Sequence, residues 1–447
     1  MSAVFGDRRL ARRLEQLTEQ LSAMPVANLS QPLTNWAELK AGYRFMNNPN
    51  VSHEQIVAIE RQATLHRVAA EKSEYILAVQ DTTAFNFATR TAVTGLGVLD
   101  DNETPGFFAH TTLAVSEQGV PLGLLEQQVW SRPPNHNRVR NAHQAKPITA
   151  KESFKWLAGL PDLPSLSQRV VTVCDREADI YELFQLAHQR GIDFVVRAVR
   201  NRRVEDATVL RDQLEGLSPA AQYTITVQRQ HHQAERQATV ALRHTTVTLL
   251  PPKNRPKQAE VMPLTPLTVQ VIEVREVNAP DEIEDPLHWL LLTTLPVDDE
   301  AAAQRIVRFY TYRWVAERFH YVLKSGGCHF EDSQLRTVDA LHRLLGVCSR
   351  VAWRLLWLTY QARQTPDAPC TSALSEVEWQ ALTAFVNKSN VPAQTPPTLQ
   401  QAVRAIANLG GFIGRKADGE PGVKTLWRGW QRLQDIVATW VLFHPPS

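Results

Sequence analysis

Cysteine is scarce in this 447-residue sequence, and its four cysteines do not show the paired spacing of a zinc site or a disulfide framework. No apolar run approaches the ~20 residues that a membrane-spanning helix needs. The N-terminal stretch MSAVFGDRRLARRL contains no apolar signal core. These absences predict a reduced, cytoplasmic protein that does not enter a membrane.

Common signatures of several enzyme classes are also missing. The sequence contains no G-x-x-x-x-G-K-[ST] loop, no G-x-S-x-G elbow and no H-E-x-x-H helix. Nucleotide hydrolysis, acyl transfer and zinc peptidase activity therefore lack sequence support. The net charge of +2 does not by itself indicate a nucleic-acid partner, so any such indication must come from local clusters of charge.

The spacing of apolar residues divides the chain into three regions. Residues 1–70 show helical periodicity throughout. Residues 71–365 alternate strands and helices, interrupted over about 200–287 by period-2 segments with Pro-rich breaks that predict an inserted β-subdomain. Residues 366–447 return to helices, and their tryptophan-rich apolar stripe is typical either of a core or of a dimerisation surface.

The order strand, strand, strand, helix, strand, helix, strand predicts a ribonuclease-H-like mixed sheet. Asp81 follows the strand predicted over residues 75–80, and Asp175 follows the β-branched strand predicted over 169–174. The first and fourth strands are neighbours in this topology, so the two aspartates would lie side by side. One Asp at a strand end is usually a cap or turn residue, but two adjacent ones form a metal-site hypothesis.

A charged tetrad occupies the apolar segment YTYRWVAERFHYVLK. Tyr310, Arg313, Glu317 and Lys324 lie at offsets of 3, 7 and 14 residues, close to one stripe of an α-helix. The rest of the segment is apolar almost all round, which predicts a buried helix whose charges need partners. Two readings remain open: a structural ion network around Glu317, or part of an active site.

The three isolated carboxylates suggest a specific chemistry. Asp81, Asp175 and Glu317 are hard oxygen donors, which suit Mg²⁺ or Mn²⁺. Two such ions about 3.5–4 Å apart can activate water or a 3′-hydroxyl and stabilise the leaving oxygen of a phosphodiester. The cationic and phenolic members of the tetrad would then contact phosphates.

Arginines gather in three local clusters. One begins the first amphipathic helix, one lies in the acid-free loop 132–146, and one spans 197–203. Each could be a solvated face or a phosphate-binding surface. The first cluster contains Arg8, Arg9 and Arg12.

The spacing of the tetrad resembles a known signature. Tyr, two residues, Arg, three residues, Glu, six residues, Lys is typical of the insertion-sequence-four family of bacterial DDE transposases, and Tyr310 to Lys324 match it without a gap. The similarity continues in order along nearly the whole chain. Further similar stretches are GDRRLARRL, GYRFMNNPNVS, DTT at Asp81, KESFKW, VCDREADI, FVVR, HWLLLTT and AIANLGGF.

The resemblance implies an activity. Members of this family would nick transposon ends, form a hairpin intermediate and transfer the strand into target DNA inside a synaptic homodimer. It implies that Asp81, Asp175 and Glu317 hold two Mg²⁺ ions, for which Mn²⁺ can substitute. It also implies a bacterial cytoplasmic location at the nucleoid.

The resemblance also assigns contacts to double-stranded DNA. Trp289 would stack on a flipped base at the hairpin, although a core tryptophan opening a strand is the alternative. Residues 1–70 would bind transposon ends and the C-terminal region would dimerise. The implied contacts to end DNA are Tyr310, Arg313, Lys324 and Arg197.

Two other functions fit the same residues. A metal-dependent, structure-specific nuclease on this fold would cleave DNA without strand transfer. A catalytically silent transposition inhibitor would bind DNA only, although three intact carboxylates argue against it.

Overall fold

A computed structural model describes most of the chain. The described residues are 2–24, 28–33, 35–90, 92–134, 146–163, 166–205, 209–227, 236–253, 262–280, 283, 285–415 and 418–444. Most of the predicted basic loop 132–146 lies outside these residues.

The N-terminal region is helical, as predicted. Side chains cap three of its helices: Asp7, Asn35 and Ser52 accept hydrogen bonds from backbone N–H groups of the first turn. Ser52 and Gln55 form a reciprocal capping box. The helices are α1 Ser2–Phe5, α2 Arg8–Ala23, α3 Trp36–Met46 and α4 His53–Ala70.

A large mixed sheet forms the centre of the molecule. Its strands are β1 Tyr75–Asn86, β2 Gly97–Val98, β3 Pro105–Ser116, β4 Pro121–Trp130, β5 Arg169–Cys174, β6 Asp193–Arg197, β7 Ala221–Val227, β8 Arg236–Leu249, β9 Leu267–Glu276 and β10 His288–Thr293. Strand β1 pairs antiparallel with β3 and parallel with β5, which pairs parallel with β6. The resulting order β4-β3-β1-β5-β6 is the predicted ribonuclease-H-like core, with β1 and β5 adjacent at its centre.

The insertion continues this sheet rather than forming a sheet of its own. Strand β10 joins β6 on one side and β9 on the other, and β8 and β7 follow. Strand β8 is continuous from Arg236 to Leu249, although residues 243–246 are polar. These residues stay in the ladder because they have cross-strand partners on β9, such as Arg243 with Glu273 at 2.8 Å.

Helices cover the sheet and form the C-terminal region. They are α5 Phe154–Ala158, α6 Tyr181–Gln189, α7 Leu210–Glu215, α8 Glu300–Thr311, α9 Trp314–Tyr321, α10 Val338–Gln364, α11 Glu376–Asn387, α12 Leu399–Leu409 and α13 Val423–Phe443. Short 3₁₀ turns occur at Ile148–Ala150, Arg176–Ala178, Phe330–Asp332 and Cys370–Ser372. Among the described helices, none combines the length and apolar character that crossing a membrane requires.

The single helix predicted from Tyr310 to Lys324 is wrong. Helix α8 ends at Thr311, α9 begins at Trp314, and a π-turn over Val322–Gly326 follows. Lys324 has a non-helical ψ of −107° in this turn. The Tyr321 ring packs so closely on Gly326 that a side chain at this position would collide with it, so this arrangement requires a glycine.

The tryptophan-rich C-terminal stripe is partly core. Leu426, Trp430 and Leu433 of α13 are buried, and the Trp430 Nε1–H donates to the Ser22 carbonyl of α2 at 2.8 Å. The first and last regions of the chain are therefore in contact. The boundaries proposed near residues 70 and 365 remain predictions.

Candidate active site

The sheet brings Asp81 and Asp175 together, as the topology predicts. Strands β1 and β5 pair through Val79 and Val173, and each aspartate lies two residues beyond that pair. Strand β1 does not end at Asp81, because β3 continues to pair with it as far as Asn86. The two carboxylates thus lie where the parallel β1–β5 ladder stops.

The electrostatics at Asp175 reflect this proximity. Burial raises the pKa of Asp175, and the neighbouring Asp81 carboxylate adds to the effect. The Glu177 backbone N–H donates to Asp175 Oδ1 at 2.8 Å and partly offsets the increase. The pair therefore carries negative charge in an environment that favours an added cation.

Glu317 lies on α9 and is engaged by an arginine. Arg313 Nη1 is 2.5 Å from Glu317 Oε1, and the Glu317 side chain is 43% exposed whereas that of Arg313 is 15% exposed. Burial opposes the charge on Arg313, but Glu317, Tyr310 and Asp81 outweigh it and raise its pKa. Arg313 thus interacts with the carboxylate of Glu317 on the helix and with that of Asp81 on the strand.

The three carboxylates are arranged as a pair and a separate third member. Within the described part of the chain, no group of three or more His, Cys, Asp or Glu side chains is placed to hold a metal ion in this conformation. The ion pair expected from the structural reading of the tetrad is present. In this conformation Arg313 occupies the Oε1 atom of the Glu317 carboxylate.

His320, which the sequence did not single out, also contacts the site. Its Nδ1 lies 3.4 Å from Asp81 Oδ2, and its Nε2 lies 3.2 Å from Thr111 Oγ1. His320 follows Glu317 by three residues, a spacing that places both side chains on one helix face. This spacing is the feature of the sequence from which a role for His320 could have been predicted.

A second buried network lies beside Asp81 along β1. His110 contacts Thr82 through Nδ1 and Gln80 through Nε2, both at 2.9 Å. Burial lowers the pKa of His110 well below its usual value, with a further contribution from Lys155. Gln80 and Thr82, the neighbours of Asp81 on β1, are therefore both held by the neutral imidazole of His110.

Tyr310 and Trp289 belong to a buried aromatic cluster. Their ring centroids are 4.9 Å apart, and Trp289 lies 6.0 Å from Trp314. Burial raises the pKa of Tyr310. Trp289 is only 6% exposed, so in this conformation it packs as a core residue.

Lys324 is partly buried near the aspartates. Burial lowers the pKa of its ammonium group, and Glu331 and Asp81 oppose that effect. Its Nζ lies 5.4 Å from the centroid of the Phe85 ring on β1. The π-turn, rather than a helical stripe, places this cation near the site.

Arg197 lies at an arginine-lined cavity beside the site. Its Nη2 donates to the His288 carbonyl at 3.1 Å. The cavity has a volume of about 450 Å³, and five further arginines line it together with two glutamates. The predicted cluster 197–203 is divided, because Arg202 is buried in an ion pair with Asp179 while Arg200 lines the cavity. The five further arginines are Arg176, Arg200, Arg211, Arg243 and Arg275.

Three family models match parts of the chain, which together span residues 1–51 and 125–441. A transposase DDE domain matches residues 125–353, a span that covers half of the chain. This chain belongs to the DDE transposase family. DDE transposase domains generally depend on divalent metal ions. A transposase DNA-binding model matches residues 1–51, and a transposase Tn5 dimerisation domain matches residues 350–441.

The N-terminal arginines of this DDE transposase family member lie within the DNA-binding match. Arg8, Arg9 and Arg12 are exposed on α2. Arg9 is paired with Asp7, the helix cap, at 3.1 Å. Their exposure fits both the solvated-face and the phosphate-binding interpretation.

A solved structure of another transposase is also similar to this family member. It is a cryo-EM structure of a piggyBac transposase synaptic complex with hairpin DNA, and it is 9% identical. The match covers 76% of this chain and 53% of that chain with a TM-score of 0.32. This chain thus spans about half the length of that structure.

Proposed function

We propose that this chain is a DNA transposase that nicks transposon ends, closes and resolves a hairpin, and transfers the cut strand into target DNA. The observation that carries the proposal is the adjacent pair Asp81 and Asp175 in a DDE-family core. Glu317, on the helix α9 next to this pair, completes the set of carboxylates. The reaction class follows from that set, because carboxylates of this kind support phosphodiester chemistry.

The donor chemistry fits a divalent metal. Asp81, Asp175 and Glu317 offer oxygen ligands only, and burial together with the nearby Asp81 carboxylate raises the pKa of Asp175, so a cation bound there would be favoured. We infer that these residues hold two Mg²⁺ ions, with Mn²⁺ as a substitute. Bound there, such ions would lower the pKa of a water nucleophile and stabilise the leaving oxygen.

The ion pair of Arg313 with Glu317 suggests that Arg313 binds a DNA phosphate. Its side chain is largely buried and its charge is matched by Glu317. Once Glu317 turns away from Arg313, the guanidinium needs another anion, because a buried charge without a partner is costly. A DNA phosphate supplies that anion with suitable geometry. Lys324 would neutralise a second phosphate, and the Tyr310 hydroxyl would donate to a third.

Arg197 and the N-terminal arginines would contact end DNA by charge. Arg197 borders a cavity in which arginines outnumber glutamates, and Arg8, Arg9 and Arg12 lie on an exposed helix face. Each phosphate contact would release counterions, so binding should weaken as salt rises. The target and end sequences would be distinguished by other contacts.

Trp289 would act at the hairpin step. Hairpin closure requires the duplex end to bend tightly, and an unstacked base needs an aromatic platform. Because Trp289 is packed against Tyr310, this role requires its ring to become accessible on DNA binding. The core role stays the alternative.

We infer that the C-terminal region pairs two copies of the chain on DNA. Helices α11 and α13 border a largely apolar cavity of about 1010 Å³. Four large apolar side chains in or near these helices are more than half exposed, which is typical of a protein interface. They are Phe385, Val386, Leu442 and Phe443.

Strand-transfer assays separate the proposed function from its alternatives. Purified protein, duplex transposon ends, target DNA and Mg²⁺ should give nicked, hairpin and joined products. Nicking without any joined product would favour the nuclease, and binding without metal-dependent nicking would favour the inhibitor. Asp175→Ala should bind ends normally but lose at least about 10³-fold in nicking, equivalent to the several kcal/mol that metal ions contribute. Nicking by Asp175→Ala at a near wild-type rate would refute the site assignment.

The dimer proposal has its own test. Phe443→Glu should preserve binding to one end but reduce paired-end complexes about tenfold or more, since a charge placed in an apolar interface is costly. Ile413→Glu is the matched control, because Ile413 is similarly exposed, 69% against 76% for Phe443, but does not line the cavity. Sedimentation of each variant with end DNA measures the complexes. Normal pairing by Phe443→Glu would refute this interface.

A further inference from the structure

A chain of buried polar side chains leads from helix α10 to Asp81. Ser349 Oγ donates to Gln127 Oε1 at 3.1 Å, and Gln127 Nε2 donates to Thr111 Oγ1 at 3.2 Å. Thr111 Oγ1 lies 3.2 Å from His320 Nε2, and His320 Nδ1 lies 3.4 Å from Asp81 Oδ2. We refer to Ser349, Gln127, Thr111 and His320 as the relay.

The relay connects elements that are distant in sequence. Its members belong to α10, β4, β3 and α9, and each is at most 5% exposed. Thr111 is also the direct cross-strand partner of Asp81 in the β1–β3 ladder. The sheet and the two helices therefore fix the end of the relay beside one carboxylate.

The hydrogen bonds run in one direction. Because Gln127 Oε1 accepts from Ser349, the Gln127 amide nitrogen is the group that donates to Thr111. The Thr111 hydroxyl proton can then be donated to His320 Nε2, and in the tautomer that accepts it the ring proton lies on Nδ1, which faces Asp81 Oδ2 at 3.4 Å. The opposite tautomer would direct a lone pair at the carboxylate.

We propose that His320, oriented by Thr111 and Gln127, is a positioning residue that fixes the Asp81 carboxylate for metal binding. The proposal rests on the proposed function, in which Asp81 is a metal ligand. An Nδ1–H group 3.4 Å from Asp81 Oδ2 would restrain that oxygen and leave Oδ1 for an ion. Partners of this kind orient ligands, and their loss typically costs about 10–100-fold in metal affinity or activity.

A closely matched pair of threonine variants tests the relay. Thr111→Val removes the hydroxyl that orients His320, whereas Thr111→Ser keeps it. Thr112→Val is the control, because Thr112 is the next residue on β3, is equally buried, and uses its hydroxyl on the Gly159 carbonyl at 3.0 Å. Thr112→Val leaves one buried partner unsatisfied and Thr111→Val leaves two, so the melting temperature of Thr111→Val should fall at least as far as that of Thr112→Val.

Metal binding is read directly rather than through activity alone. Mn²⁺ is titrated into the full-length, metal-free protein, and the free ion is followed by electron paramagnetic resonance. Thr111→Val should bind Mn²⁺ about tenfold more weakly than wild type, while Thr111→Ser and Thr112→Val should stay within about twofold. The Mg²⁺ concentration for half-maximal nicking should rise by a similar factor in Thr111→Val.

Variants at His320 provide an independent measurement. His320→Asn keeps a donor nitrogen near the position of Nδ1 and should retain more Mn²⁺ affinity than His320→Leu, which keeps none. Equal affinities in these two variants would overturn the proposal, as would Thr111→Val binding Mn²⁺ like wild type. The proposal would also be overturned if Thr112→Val weakened Mn²⁺ binding as much as Thr111→Val. The loss of affinity would then follow the loss of protein stability.

Asp81→Asn separates a failure of the relay from a failure of the proposed function. If Asp81→Asn binds Mn²⁺ like wild type, Asp81 is not a ligand and the proposed function fails at this residue. If Asp81→Asn loses Mn²⁺ binding while Thr111→Val keeps it, the metal site stands and only the relay is refuted.

Discussion

The strand-borne and helix-borne carboxylates are held in different ways. Asp81 and Asp175 belong to adjacent strands whose register leaves little freedom, and Asp81 is further contacted by His320. Glu317 lies on α9, a helix of eight residues between a break near residue 312 and a π-turn. Its carboxylate is partly exposed and paired with Arg313.

This difference indicates where the site can change. A sheet ladder is rigid because each strand is hydrogen-bonded to its neighbours, whereas a short helix bounded by irregular turns can shift as a unit. The strand side thus provides a fixed platform. We infer that assembly on DNA involves mainly the helix side, where Glu317 and Arg313 must exchange partners.

The largest expected effect comes from removing the aromatic support of the helix side. Trp289 packs beneath Tyr310 and Trp314, so Trp289→Ala should lower the free energy of unfolding by about 3–5 kcal/mol. If its ring also holds an unstacked base, hairpin formation should slow about ten- to a hundredfold more than the first nick. Single-turnover kinetics on labelled ends, run beside thermal melts, measure both effects.

Leu291→Ala is the control for this experiment. Leu291 lies two residues along the same strand, on the same face, and is fully buried, but it cannot stack on a base. It should destabilise the protein and slow nicking and hairpin formation equally. The same uniform loss in Trp289→Ala would assign Trp289 to the core alone.

The strand side of this comparison was predictable from the sequence. The β-branched run before Asp175 and the order of elements were sufficient to place both aspartates at the centre of the sheet. Hydrophobic periodicity also predicted that residues 1–70 and 366–447 are helical, and α1–α4 and α11–α13 lie in these two regions. These features depend on local patterns and on topology rules.

The helix side was less predictable because tertiary contacts determine it. The spacing of Tyr310, Arg313, Glu317 and Lys324 fits a regular helix equally well, and nothing in that spacing indicates the break near residue 312 or the π-turn over Val322–Gly326. The relay could not be predicted from the sequence either, because its members come from four separate elements. Arg202 shows the same limit: only the fold reveals that it pairs with Asp179 rather than facing solvent.

The smallest expected effect is a difference in the free energy of unfolding between a variant of the strand-borne pair and a variant of the helix-borne carboxylate. In metal-free buffer near pH 7, Asp175→Asn should raise the free energy of unfolding by about 1 kcal/mol, because it removes a partly buried charge beside Asp81. Glu317→Gln should lower it by about 1 kcal/mol, because Arg313 loses its ion pair, an effect limited by the exposure of Glu317. Urea denaturation of both variants measures the difference.

The pH dependence identifies the cause of the Asp175 effect. The folded-state pKa of Asp175 is raised above its ordinary value of 3.8, so the cost of its charge is fully present above the raised pKa. That cost fades as the pH falls through the raised pKa toward 3.8, and the advantage of Asp175→Asn should fade with it. An advantage that persists unchanged in acid would point to altered packing instead. If Asp175→Asn and Glu317→Gln both destabilise the protein at pH 7, the negative charge of the aspartate pair is as well compensated as that of Glu317. The contrast between the two sides would then fail.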